Sequence, residues 1–257
     1  MLTKKYYLIT KPIHQTQKLS LAIEALGGQC ILIPSIEINF LSQAHIRQCM
    51  TKLPRFIDQI IFTSANAVYP AMVFWDKLGV FIDSVFAIGS GTANALAKFG
   101  ISAITPEKKQ FNTEGLLALS ALKNVRQHQI VIFTGKNGRS ELLDALTKRE
   151  AIVTTLAVYE RKTPILKASF PPMKPIELVI VTSAESLNNL WQMVGEAGQR
   201  WLVEQRLLVV TSAMQILAQT LGFKQVPVLA ENASDEAILV AMQQNASTKS
   251  DLYTART

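Results

Sequence analysis

The chain has 257 residues, 49% apolar and 18% charged, which suits one large core or two moderate ones and excludes a disordered polypeptide. Lys and Arg number 26 against 19 acids, a net charge of +7, so an anionic partner is favoured. The basic residues cluster only in pairs, Lys4-Lys5, Lys108-Lys109 and Lys148-Arg149. A nucleic-acid partner, which would call for a basic stripe with interleaved aromatics, is not expected.

In chain order, Tyr6–Thr10, Cys30–Ile33, Gln59–Thr63, Val85–Ile88, Gln129–Phe133, Glu177–Thr182 and Leu207–Thr211 read as strands. Their apolar runs are continuous, as a parallel sheet covered on both faces requires. Helical patterns lie between them at Gln15–Leu26, Ala67–Leu78, Thr92–Phe99, Thr113–Leu122, Arg139–Lys148, Leu187–Gly195, Met214–Leu221 and Asp235–Met242. Gly27, Gly79, Gly100 and Gly222 stand where helices should stop. Ile36–Asn39 and Ala157–Arg161 read as short β segments, Lys162–Pro175 as a Pro-rich connector, and the polar tail after Gln244 as frayed. Such strand–helix alternation predicts doubly wound α/β layers.

Cys30 and Cys49 form no CxxC pair, and His14, His45 and His128 cluster neither together nor with cysteine. Neither a disulfide framework nor a zinc site is expected. No apolar run reaches the roughly 20 residues of a membrane span, and residues 1–15 lack a signal peptide's apolar core and cleavage site. A cytoplasmic chain with no membrane partner is the expectation.

Three segments recur in order. Ile60–Val68, IIFTSANAV, is echoed by Val179–Leu187, VIVTSAESL; Thr92–Gly100, TANALAKFG, by Met214–Gly222, MQILAQTLG; and Thr113–Leu117, TEGLL, by Asp235–Leu239, DEAIL. The offsets are 119, 122 and 122 residues, so the chain carries two copies of one α/β unit.

In open parallel sheets ligands bind beyond the carboxyl ends of the strands. Those ends carry Thr10, Thr63-Ser64, Thr134-Gly135, Thr182-Ser183 and Thr211-Ser212. A single hydroxyl there is ordinarily an N-cap, but five ends with hydroxyls, amides and helix dipoles favour an anion cleft. The loop Gly135-Lys136-Asn137-Gly138-Arg139 matches neither phosphate-loop spacing nor GxGxxG. It is either a tight turn with a solvated Arg139 or a basic anion contact at a helix start. Tyr159, in Val158-Tyr159-Glu160-Arg161, is either a packing residue or a proton donor, since phenols stay protonated near neutral pH. No nucleophile–base arrangement is legible.

An ordered set of motifs resembles the uroporphyrinogen-III synthase family across nearly the whole chain: ITKPIHQTQKLSLAIEALGG, ILIPSIEI, FTSANAV, FAIGSGTANAL, TEGLLAL, GKNGRSELLDAL, VYER, VTSAESLNNL and ASDEAIL. The resemblance implies two flavodoxin-like doubly wound domains joined by a two-stranded β connector, residues 1–37 with 164–257 forming one and 38–163 the other. It implies a site in the cleft between them, and neither metal nor organic cofactor. The implied reaction closes hydroxymethylbilane to uroporphyrinogen III by losing the terminal hydroxyl as water. The last ring is inverted through a spiro intermediate.

By motif, Lys11, Ser64, Ala65, Asn66, Thr92, Gly135, Arg139, Ser183, Ser186 and Thr211 are expected to bind substrate, and Tyr159 to assist loss of the hydroxyl. The partner implied is a polyanionic linear tetrapyrrole, with room for transient handover from hydroxymethylbilane synthase, and the chain is expected to be a monomer. Four positions depart from the family pattern: Lys11 replaces the arginine of a TRP opening, Thr134 the arginine of an Arg-Gly, Asn137 a glycine, and Ala213 an arginine. Lysine keeps the charge but loses the guanidinium fork. A non-catalytic two-domain binding protein for a small anion is the alternative reading.

Overall fold

The computed structural model describes residues 4–51, 53–75, 81–107, 110–138, 140–166 and 170–254. Its first half runs β1 (Tyr6–Ile9), a 3-10 turn, α1 (Gln17–Ala25), β2 (Gln29–Leu32), β3 (Glu37–Phe40), α2 (Gln43–Met50), β4 (Phe56–Phe62), α3 (Ala65–Met72), β5 (Phe81–Ala87), α4 (Ser90–Ala97), α5 (Thr113–Ala118) and α6 (Ser120–Lys123). Then come β6 (Gln129–Gly135), α7 (Glu141–Lys148), β7 (Ile152–Lys162), β8 (Ile176–Ile180), α8 (Ala184–Met193), α9 (Gly195–Leu202), β9 (Leu207–Val209), α10 (Ser212–Thr220), β10 (Val228–Leu229) and α11 (Asp235–Thr254). The chain divides into two compact units, Met1–Glu37 with Lys162–Thr257, and Ile38–Arg161.

The first unit has a sheet of order β10-β9-β8-β1-β2, with every pairing parallel. Alternate side chains of its central strands serve opposite faces, as a period of two demands. Tyr7, Ile9, Leu178 and Ile180 pack with Leu19 and Ile23 of α1 and Ile238 and Met242 of α11. Leu8, Val179 and Val181 pack with Leu187, Leu202 and Met214 of α8, α9 and α10.

The second unit has a sheet of order β3-β7-β6-β4-β5, with β5, β4, β6 and β7 parallel. Val131 and Phe133 meet Val68, Ala71 and Leu96 of α3 and α4, while Ile130 and Ile132 meet Leu116, Leu142 and Leu146 of α5 and α7. The central strands β1, β8, β4 and β6 are buried on both faces over most of their length, which is why they read as unbroken apolar runs.

Apart from β3, the two sheets correspond strand for strand. β8-β9-β10 in the first unit matches β4-β5 and the bridge of Phe86 to Ile104 in the second. β1-β2 in the first matches β6-β7 in the second. Each sequence copy is therefore split, its β-α-β opening built into one unit and its Thr-Ser-Ala half into the other.

Several expectations need correction. Ala157–Arg161 is the end of the 11-residue strand β7, not a separate segment, and Leu41 N–H donates to Val158 O at 3.0 Å. The pattern at Thr113–Leu122 breaks at Leu119, whose backbone is extended, giving α5 and α6. The tail does not fray after Gln244: α11 runs on to Thr254, and buried Asn245 accepts from Arg206 Nη1. Helix α2, helix α9 and strand β10 are additional elements. Gly27, Gly100 and Gly222 stop their helices with φ of 84°, 75° and 88°, whereas Gly79, the expected end of the Ala67–Leu78 helix, and Lys108-Lys109 lie outside the described residues.

Candidate active site

In the second unit the parallel strands β4, β6 and β7 bring Ser64, Gly135 and Tyr159 to one edge. Ser64 is the N-cap residue of α3, yet its hydroxyl makes no capping bond. It donates instead to the Tyr159 hydroxyl at 3.0 Å. The Tyr159 oxygen thus accepts, leaving its own O–H to point elsewhere.

Tyr159 is 4% exposed and is fixed from two sides. Its carbonyl accepts from Lys136 N–H at 2.6 Å. Its ring lies against Gly135, where a Cβ would stand 2.7 Å from Tyr159 Cζ. The β6–β7 register shifts at this point, pairing Gly135 with Tyr159. Glycine is required by the close approach of the ring.

The loop after β6 is a tight turn. Gly138 N–H donates to Gly135 O at 3.0 Å, Asn137 takes the left-handed conformation at φ 61°, and a Cβ on Gly138 would sit 2.5 Å from Thr134 Oγ1. That Thr134 oxygen accepts from Thr63 Oγ1 at 3.0 Å. Lys136 Nζ lies 3.8 Å from Glu160 Oε2. Arg139 lies outside the described residues. On α3, Ala65 is exposed and Asn66 half-buried. Thr92, within α4, is buried and donates its N–H to Gly89 O at 3.1 Å.

The first unit uses the same residue types differently. Ser183 Oγ accepts from Ser186 N–H at 3.0 Å and caps α8, and Thr211 Oγ1 accepts from Met214 N–H at 3.2 Å and caps α10. Ser186 is 2% exposed. Its hydroxyl lies 2.9 Å from Thr10 Oγ1 and 2.6 Å from Ser35 Oγ, joining the end of β1, the segment after β2 and α8. Lys11 is 8% exposed, its ammonium 2.6 Å from Asp235 Oδ1 and 3.3 Å from Ala233 O.

The roles of three residues of this arrangement were not legible in the sequence: Asp235, Ser35 and Gly138. Asp235 stands at the start of α11, where an acid favours the helix dipole, and this gave no hint of Lys11. The glycine at 138 was visible as a turn residue, but its need to clear the Thr134 hydroxyl was not. Among the described residues no group of three or more His, Cys, Asp or Glu could hold a metal ion, and no helix is long and apolar enough to cross a membrane.

Comparison with known proteins places the chain in a family. The family model described as "Uroporphyrinogen-III synthase HemD" matches residues 17–240. The uroporphyrinogen-III synthase of Escherichia coli K12 is 30% identical over 254 residues, covering 92% of this chain and 99% of that protein. That of Salmonella typhimurium LT2 is 30% identical over 247 residues with the same coverages. Among solved structures, a mutant uroporphyrinogen III synthase of the extremely thermophilic bacterium Thermus thermophilus aligns with TM-score 0.60 at 15% identity, over 93% of this chain and 99% of that one. The Helicobacter pylori 26695 enzyme aligns with TM-score 0.57 at 14% identity, over 95% and 99%. At those identities the structures speak for the α/β fold, and the family match and the relatives for the lineage: the chain belongs to the uroporphyrinogen-III synthase family.

Proposed function

We propose that this cyclising lyase of porphyrin biosynthesis closes hydroxymethylbilane with Tyr159 as its proton donor. The contact that carries the reading is the hydrogen bond from Ser64 Oγ to the Tyr159 oxygen. With that oxygen accepting, the phenolic proton is available to the substrate's terminal hydroxyl, which leaves as water. The Ser64 bond stabilises the negative charge that develops on the phenol oxygen.

The cationic azafulvene left behind is attacked by the substituted carbon of the last ring, giving the spiro intermediate. Fragmentation and reclosure invert that ring. Rearomatisation then releases one proton, which restores the phenol, so the step balances as loss of one water. The substrate closes unaided to the uninverted isomer, so the main task is holding the chain in one conformation.

Ser183 and Thr211 cap helices whose N–H groups face the strand ends, and we assign them, with Ala65, Asn66, Thr92 and Arg139, to substrate carboxylates. Ser186 and Lys11, expected from the sequence to bind substrate, are buried and bonded within the first unit, and we assign them instead to supporting its strand ends. We infer further that the units are flavodoxin-like domains, residues 1–37 with 164–257 and 38–163, and that β3 with the end of β7 forms their connector. The order β2-β1-β8-β9-β10 supports this. A cytoplasmic monomer receiving its substrate by transient handover from hydroxymethylbilane synthase completes the proposal.

The test is a coupled assay in which hydroxymethylbilane is generated in situ and the oxidised porphyrin isomers are separated. Dominant type III product supports the reading. Type I product alone, from folded protein, overturns it in favour of a non-catalytic anion-binding protein.

A further inference from the structure

Helix α3 buries one face and leaves the other unusually apolar. Ala67, Val68 and Ala71 are at most 1% exposed and fill the core. On the opposite side Ala65, Tyr69 and Val73 follow at four-residue spacing, all exposed, and so form one stripe. Tyr69 is 60% exposed, and its ring stacks on Phe40 of β3, itself 51% exposed, with centroids 5.8 Å apart and planes 27° from parallel. The core is complete without them.

Their position ties them to the site. Tyr69 stands one turn beyond Ala65, on the helix whose N-cap hydroxyl contacts Tyr159. Phe40 precedes Leu41, whose N–H bonds Val158 O, the neighbour of Tyr159. Two contacts therefore bridge α3 to the β3–β7 edge: the polar pair Ser64–Tyr159 and the aromatic pair Tyr69–Phe40.

We propose that Tyr69, backed by Phe40, is a stacking platform for one pyrrole ring of the linear tetrapyrrole. This rests on the function proposed above. A pyrrole is a flat, electron-rich ring whose carboxylates sit on flexible side arms. Hydrogen bonds to the carboxylates alone leave the ring plane free to turn, whereas a face-on aromatic contact orients it. A reaction whose outcome depends on which carbon of the last ring meets the azafulvene needs that second constraint.

The experiment uses the full-length chain in the coupled assay, with Tyr69→Ala, Phe40→Ala and Tyr69→Phe. Tyr69→Ala is expected to raise KM roughly 3- to 10-fold, the size of one aromatic stacking contact, and to increase the share of type I isomer. Phe40→Ala should act in the same direction, and Tyr69→Phe should restore both values. If wild type forms type III product while Tyr69→Ala keeps its KM and isomer ratio, the platform is overturned alone, and a fall in thermal stability without a KM change has the same meaning. Type I product alone from wild type overturns the proposed function and the platform with it.

Discussion

Ser64 and Ser183 occupy the same place in the two copies of the repeat, and they spend their hydroxyls differently. Ser183 caps α8, whereas Ser64 leaves α3 uncapped by its side chain and donates to Tyr159 at 3.0 Å. The diversion forgoes a cap worth about 1 kcal/mol to hold a phenol. Tyr159→Phe should therefore keep the fold and lower turnover by roughly 10- to 100-fold, within the range of general acid catalysis. Unchanged turnover in the isomer-resolved assay would remove Tyr159 from the chemistry.

Gly135→Ala probes the same group without removing its hydroxyl. A methyl 2.7 Å from Tyr159 Cζ must displace the ring, at a cost of about 1–3 kcal/mol for overpacking. The expected result is a loss of turnover close to that of Tyr159→Phe, with a lower denaturation midpoint that Tyr159→Phe does not share.

Lys11 separates a structural cation from a substrate contact. Lys11→Met removes the partner of Asp235, whose side chain is 22% exposed, and should cost about 1–3 kcal/mol, less than a fully buried pair because solvent reaches the carboxylate. The double variant Lys11→Met with Asp235→Leu should recover much of that loss. A rise in KM with unchanged stability would instead make Lys11 a direct ligand of the substrate.

Alkaline pH should destabilise the first unit. Burial pushes the Cys30 thiol up, with Glu24 adding to it and the bond to Ser20 opposing it. Burial also raises Tyr7, with help from Glu177. Both groups ionise more readily when unfolded, so their contribution is present below the unfolded values of about 8.5 and 10 and is lost as pH rises past them. Denaturation midpoints measured from pH 7 to pH 10.5 should fall, and Cys30→Ser should remove the earlier part of the decline.

Much of the fold was legible because β1, β6 and β8 are buried on both faces, and their apolar runs have no other use. Helix α2 was not, because Ile46 is its only buried residue and a single apolar position sets no period. Helix α9 hid behind Gly195, whose φ of 60° reads as a stop although a new helix starts there. At the site, residue types were legible and their partners were not. Ser64 and Tyr159 are 95 residues apart, and Lys11 and Asp235 are 224 apart, so no local pattern distinguishes a hydroxyl that caps from one that holds a phenol.

The division of each repeat between the two units has a consequence during synthesis. The second unit is one uninterrupted run, Ile38–Arg161, and can close soon after it leaves the ribosome. The segment β1-α1-β2 cannot, because Thr10 must wait for Ile180, 170 residues later. At ordinary elongation rates that wait is roughly 10–35 s. Throughout it, the strand carrying Tyr7, Leu8 and Ile9 has an open edge where β8 belongs, which leaves this segment exposed to mispairing and to chaperones.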